Sequence, residues 1–120
     1  MEQKGRFDNT ALITRFKKWC YNCLNIVKSL ENSNENRVII NQLIRSSTGS
    51  YMNYRSVNRA KSKADMIHKL KIVEEETDES IGWLEIIQDR SNLHTSDLQK
   101  EADELLRIVV SSIATLRRNT

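Results

Sequence analysis

Apolar residues recur every three or four positions in four successive stretches of the chain, the spacing of helices that each hide one flank. In the first, about residues 9–30, Leu12, Phe16, Trp19, Cys23, Val27 and Leu30 make the stripe. The polar run Glu31 to Asn36 interrupts it, and a second helix is expected over about 37–60, with Ile40, Leu43, Ile44, Ser47, Tyr51 and Tyr54 on one face. Its middle, Ser46-Ser47-Thr48-Gly49-Ser50, is unusually small. Small residues lower helix propensity but let another backbone come close, so this stretch predicts a tight helix–helix contact, with a local kink as the competing reading.

Ser62 followed by Asp65 is an N-terminal capping arrangement and opens a third helix over about 63–89. Met66, Leu70, Val73, Thr77, Ile81, Leu84 and Ile87 form its stripe, and Trp83 and Ile86 widen the apolar surface beyond one partner face. Ser96 with Gln99 reads as a capping box opening a fourth helix over about 96–118, striped by Leu98, Ala102, Leu105, Val109, Ile113 and Leu116. Short connections favour antiparallel neighbours, so the expected fold is all-α: one domain, residues 1–120, folded as an up-down-up-down antiparallel four-helix bundle. Proline is absent and glycine occurs three times, which suits long helices better than turn-rich sheets.

With 38% hydrophobic and 29% charged residues, the 120-residue chain has a globular rather than a disordered balance. No apolar run approaches the roughly 20 residues of a membrane span. Met1 to Asp8 is polar without a signal-peptide core, and a cytoplasmic location is expected.

Charge is segregated along the chain. Between Arg37 and Lys71 eight basic residues face Asp65 alone, a net of +7; between Ile72 and Glu104 eleven acidic residues face Arg90 and Lys100, a net of −9. Arg55, Arg59, Lys61, Lys63, Lys69 and Lys71 crowd around the second connection. Such a patch attracts phosphates through charge and counterion release, and Arg59, Lys61, Lys63, Lys69 and Lys71 are the nucleic-acid candidates on that ground. The plainer reading is a solvated helix end whose arginines answer the acidic third helix. No alternation of exposed aromatics with basic residues accompanies this patch. In an antiparallel hairpin, Arg55 and Arg59 are the expected partners of Glu76 and Glu79, forming a structural arginine–carboxylate network.

The sequence carries no Gly-rich phosphate loop, nucleophile elbow or plausible triad, and no enzyme activity is expected. A di-metal carboxylate site needs Glu-x-x-His motifs that neither His68 nor His94 supplies. Cys20 and Cys23 have C-x-x-C spacing but sit inside a helical pattern with no further ligands, so buried, inert thiols are expected. Neither a metal nor a cofactor is expected.

The run from Ile44 through Arg45-Ser46-Ser47-Thr48-Gly49, Asn53-Tyr54-Arg55 and Arg59-Ala60-Lys61-Ser62-Lys63-Ala64-Asp65, continuing to Asp78-Glu79-Ser80 and Trp83-Leu84-Glu85, resembles a bacterial family. It is similar to the four-helix-bundle proteins encoded in intervening sequences of 23S ribosomal RNA genes, labelled "S23 ribosomal protein" from where such genes sit. That family includes the accessory variability protein of diversity-generating retroelements. The resemblance implies a homopentameric, barrel-like assembly. For the retroelement branch it also implies a basic surface that engages nucleic acid (RNA or DNA) and a reverse transcriptase. Asn53, Tyr54, Arg55, Arg59, Glu76, Glu79 and Trp83 match the family pattern and would be structural or lie at a protomer interface. The chain departs from that pattern at Ser50-Tyr51-Met52 and at Glu74-Glu75.

The expected function is a non-enzymatic homo-oligomeric scaffold with weak, non-specific nucleic-acid binding, as an accessory to a reverse transcriptase or RNA. The alternative is a protein–protein assembly module with no nucleic-acid role.

Overall fold

A computed structural model describes residues 8–119; the polar stretch before Asp8 lies outside the described residues. Four helices account for nearly all of them: α1 (Thr10–Ile26), α2 (Asn34–Ser56), α3 (Lys63–Arg90) and α4 (Ser96–Arg118). Among the described residues there is no strand. Short 3-10 turns, Val27–Ser29 and Val57–Arg59, finish α1 and α2, which therefore leave the α-helical path a few residues before the expected ends.

The start of α2 and the cap of α4 differ from expectation, while α4 itself begins at Ser96 as expected; in both places polar side chains hold the first turn. Ser33 accepts a bond from the Asn36 amide and Asn36 donates to the Glu31 carbonyl, so α2 begins at Asn34, inside the polar run. At α4 the residue before the helix is Thr95, not Ser96. Its buried hydroxyl donates to the Leu84 carbonyl and accepts from Gln99, while Gln88 accepts from the Thr95 amide and the Ser96 hydroxyl. The expected Ser96–Gln99 box is thus replaced by a Thr95–Gln99 pair bolted to α3. The third start holds: Ser62 accepts from the Asp65 amide at 3.0 Å.

The four stripes converge. Phe16, Trp19, Cys23, Leu43, Tyr54, Val73, Leu84, Ile87, Leu105 and Val109 are essentially removed from solvent. Phe16 stacks on Tyr54 with ring centroids 4.7 Å apart. Side chains of this size bring on the order of 2 kcal/mol each when fully buried. Between α2 and α3 the packing is of another kind. The α2 stretch stays helical throughout. Ser46 accepts from Ser80 at 2.7 Å and Ser50 from Thr77 at 3.2 Å, all four buried. A methyl group at Gly49 would sit 3.2 Å from the Glu76 carboxyl group, so the small residues do admit a close neighbour.

Along this seam Asn36 meets Arg90, Ser46 meets Ser80 and Ser50 meets Thr77. Rising numbers on α2 against falling numbers on α3 is the order that antiparallel neighbours give. Trp19 of α1 donates to the Leu98 carbonyl, and Arg15 bonds Glu101 and Glu104, in the same opposed order. The bundle is 52 Å long and 23 by 21 Å across. No helix among the described residues is long and apolar enough to cross a membrane.

Candidate nucleic-acid interface

The arginine–carboxylate network exists, but with a different arginine. Arg45 donates to Glu76 at 3.0 Å and also to Glu79, and Gln42 orients it by accepting from its Nε. Trp83 donates its indole N–H to Glu79 at 3.0 Å. The Arg45 guanidinium, helped by that indole, holds the Glu79 carboxyl below the usual range. The expectation that Arg55 and Arg59 fill this role fails on register. Ser50 stands opposite Thr77, so Arg55, nearer the connection, is level with about residue 72, roughly two turns short of Glu79. Arg55 instead lies over the Tyr51 ring, 5.9 Å from its centroid, and donates to the Tyr51 hydroxyl.

The other family-pattern residues are mostly internal. Asn53 donates to the Gly49 carbonyl at 2.8 Å. Tyr54 is buried, and burial pushes its ionisation up, with the Asn9 side chain opposing. Cys20 and Cys23 are buried free thiols, both pushed up by desolvation, which keeps them protonated. Among the described residues no three His, Cys, Asp or Glu side chains are grouped to hold a metal.

The five basic candidates do not form one cluster. Arg59, Lys61 and Lys63 are exposed around the second connection. Lys63 donates to the Asn119 carbonyl at 2.7 Å, which brings the end of α4, with exposed Arg118, to the same place. Lys69 is half-buried and bridges to Asp65 at 3.8 Å, whereas Lys71 is exposed. Two residues apart on a helix, these lysines point about 200° apart. The Asp65 carboxyl accepts from the Lys61 amide and is held below its ordinary value by that bond first, with Lys69 adding to it.

A larger division emerges once the helices are assembled. From residue 8 to 62, covering α1 and α2, there are nine basic side chains and three carboxylates, Asp8, Glu31 and Glu35, a net of +6. From 63 to 119, covering α3 and α4, there are eight and twelve, a net of −4. The basic half therefore includes Lys17, Lys18 and Lys28 of α1, which a linear count dilutes with the acidic ends of residues 1–36 and a helical wheel of α1 alone would have flagged. Phosphate-bearing ligands are drawn to such a half and repelled by the other.

No protein-family model matches the chain, and no curated protein is significantly similar to it. Among solved structures, a protein of unknown function from the S23 ribosomal protein family of Bacteroides thetaiotaomicron has the same fold. The TM-score is 0.80 at 25% sequence identity, over 88% of this chain and 97% of that one. The motif resemblance and the shared fold point the same way: the chain is similar to a member of the S23 ribosomal protein family.

Proposed function

We propose that the chain is a non-enzymatic, self-assembling helical scaffold that holds nucleic acid weakly and without sequence preference. In this reading it is a cytoplasmic, up-down-up-down bundle. Its homopentameric state and a reverse-transcriptase or RNA partner follow from the family resemblance. The observation that carries the binding half is the charge division between the two helix pairs, since net positive charge over a whole flank gives salt-dependent phosphate attraction without base contacts. The test is fluorescence anisotropy with labelled RNA and DNA at rising salt, alongside light scattering for the oligomeric mass. Affinity should fall steeply with salt, and Lys61→Glu with Arg59→Glu should weaken binding and flatten that slope. A pentamer-sized particle that binds neither polymer at low salt would reject the nucleic-acid role.

One observation favours the alternative, an assembly module with no nucleic-acid role. Val38 is 56% exposed and Ile86 38%, and half-buried Trp83 lies on the same stripe of α3 as Ile86. By register these residues fall between the Asn36–Arg90 and Arg45–Glu79 contacts on the outer α2–α3 groove. An apolar strip rimmed by an ion pair is the usual make-up of a protein contact. Both readings share this strip as the place where copies meet, and the binding experiment separates them.

A further inference from the structure

Helix α1 turns an acid-free flank to solvent. Residues 9–30 contain no Asp or Glu. At 3.6 residues per turn, Thr14, Lys17, Lys18, Tyr21 and Asn25 fall within about 100° of arc, and Lys28 continues the ridge in the 3-10 turn. Lys17, Lys18, Asn25 and Lys28 are exposed, and Tyr21 is 57% exposed. Lys17 and Lys18 stand one turn before the tyrosine, so a ring face and two ammonium groups share one patch. The one cation of α1 that meets acids, Arg15, is turned aside to Glu101 and Glu104 of α4. On the other side, a groove of about 340 Å³ lined by Ile13, Met52, Arg55, Ser56, Asn58 and Arg59 runs from α1 towards the second connection. It too contains no carboxylate.

We infer that the outer flank of α1 is a single-strand site: Tyr21 stacks an unpaired base while Lys17, Lys18 and Lys28 meet the flanking phosphates. This rests on the nucleic-acid reading above and names its substrate class. A duplex hides its base faces and offers phosphates alone, so an exposed ring adds affinity only where bases are unpaired. A two-fold contact between copies through this ridge would set Lys17 and Lys18 against their own like charges.

The experiment compares a labelled single-stranded RNA with a duplex of the same length, using the full chain and three variants. Tyr21→Ala should weaken single-strand binding about fivefold or more, the range of one lost stacking contact, and leave duplex binding unchanged. Tyr21→Trp should restore it. Lys17→Glu with Lys18→Glu should weaken both and flatten the salt slope. Single-strand binding by Tyr21→Ala equal to that of the parent would overturn the inference while leaving the scaffold reading intact. So would a changed oligomeric mass in Tyr21→Ala, which would make the ridge a contact between copies. Absence of binding by the parent protein would instead reject the nucleic-acid reading itself.

Discussion

The seam between α2 and α3 and the seam between α1 and α4 solve the same packing problem with opposite materials. The first is built from Ser46, Gly49, Ser50, Thr77 and Ser80, so two backbones come close and hydroxyls satisfy one another. The second is spanned by long side chains, Trp19 to the Leu98 carbonyl and Arg15 to Glu101 and Glu104. The segments that carry the family resemblance lie on α2, α3 and the connection between them, with Tyr54 turned to stack on Phe16 of α1. Their lesson is that the recognisable residues specify how α2 and α3 fit, with Arg45, Glu76, Glu79 and Trp83 closing the outside. The basic, aromatic flank of α1 lies elsewhere, outside the contacts that hold α2 to α3.

Three measurements would break or sharpen that contrast. The largest effect should come from Trp19→Ala, which opens a cavity and strands the Leu98 carbonyl; urea unfolding should show a loss of about 3–5 kcal/mol. A cost below about 1 kcal/mol would mean that long side chains do not hold the α1–α4 seam. Next, Ser46→Leu forces bulk between α2 and α3, and overpacking there should destabilise by about 1–3 kcal/mol. Stability unchanged by that leucine would show the seam to be loose rather than close.

The smallest effect concerns acid. Glu79 ionises below its ordinary value of 4.5 because Arg45 and then Trp83 favour the charged form. Its contribution is therefore complete above the ordinary value and fades as pH falls through the lower folded one. The pair faces solvent, so the contribution stays under about 1 kcal/mol. Glu79→Gln should flatten the decline in urea midpoint between about pH 5 and 3. If the variant declined as steeply as the parent, the ion pair would not be the acid-sensitive part of the seam.

The stripes were legible in the sequence because burial enforces a period. Phe16, Trp19, Leu43, Val73, Leu84, Leu105 and Val109 all reach the core where their spacing places them. The small stretch of α2 was legible for the same reason, since little but a close neighbour favours Ser-Ser-Thr-Gly-Ser in a helix. What was not legible depended on contacts distant in sequence. Thr95 becomes the cap of α4 only because Leu84 and Gln88 lie beside it. Arg45 takes the place of Arg55 as the partner of Glu79 because Ser46 packs opposite Ser80 and Ser50 opposite Thr77, a register fixed across the two helices. The charge runs were visible as blocks, but joining Lys17 and Lys18 to Arg55 and Arg59 required α1 to be laid against α2. Chain order puts about forty positions between Ile13 and Arg55; folding lines one groove with both.

Cys20 and Cys23 close the α1 interior with 6% and 0% exposure, and neither is paired. Protonated and shielded, they are silent toward alkylating reagents while α1 stays docked. The pace at which such a reagent consumes them is therefore a clock for the undocking of that helix, readable by mass spectrometry without introducing any label.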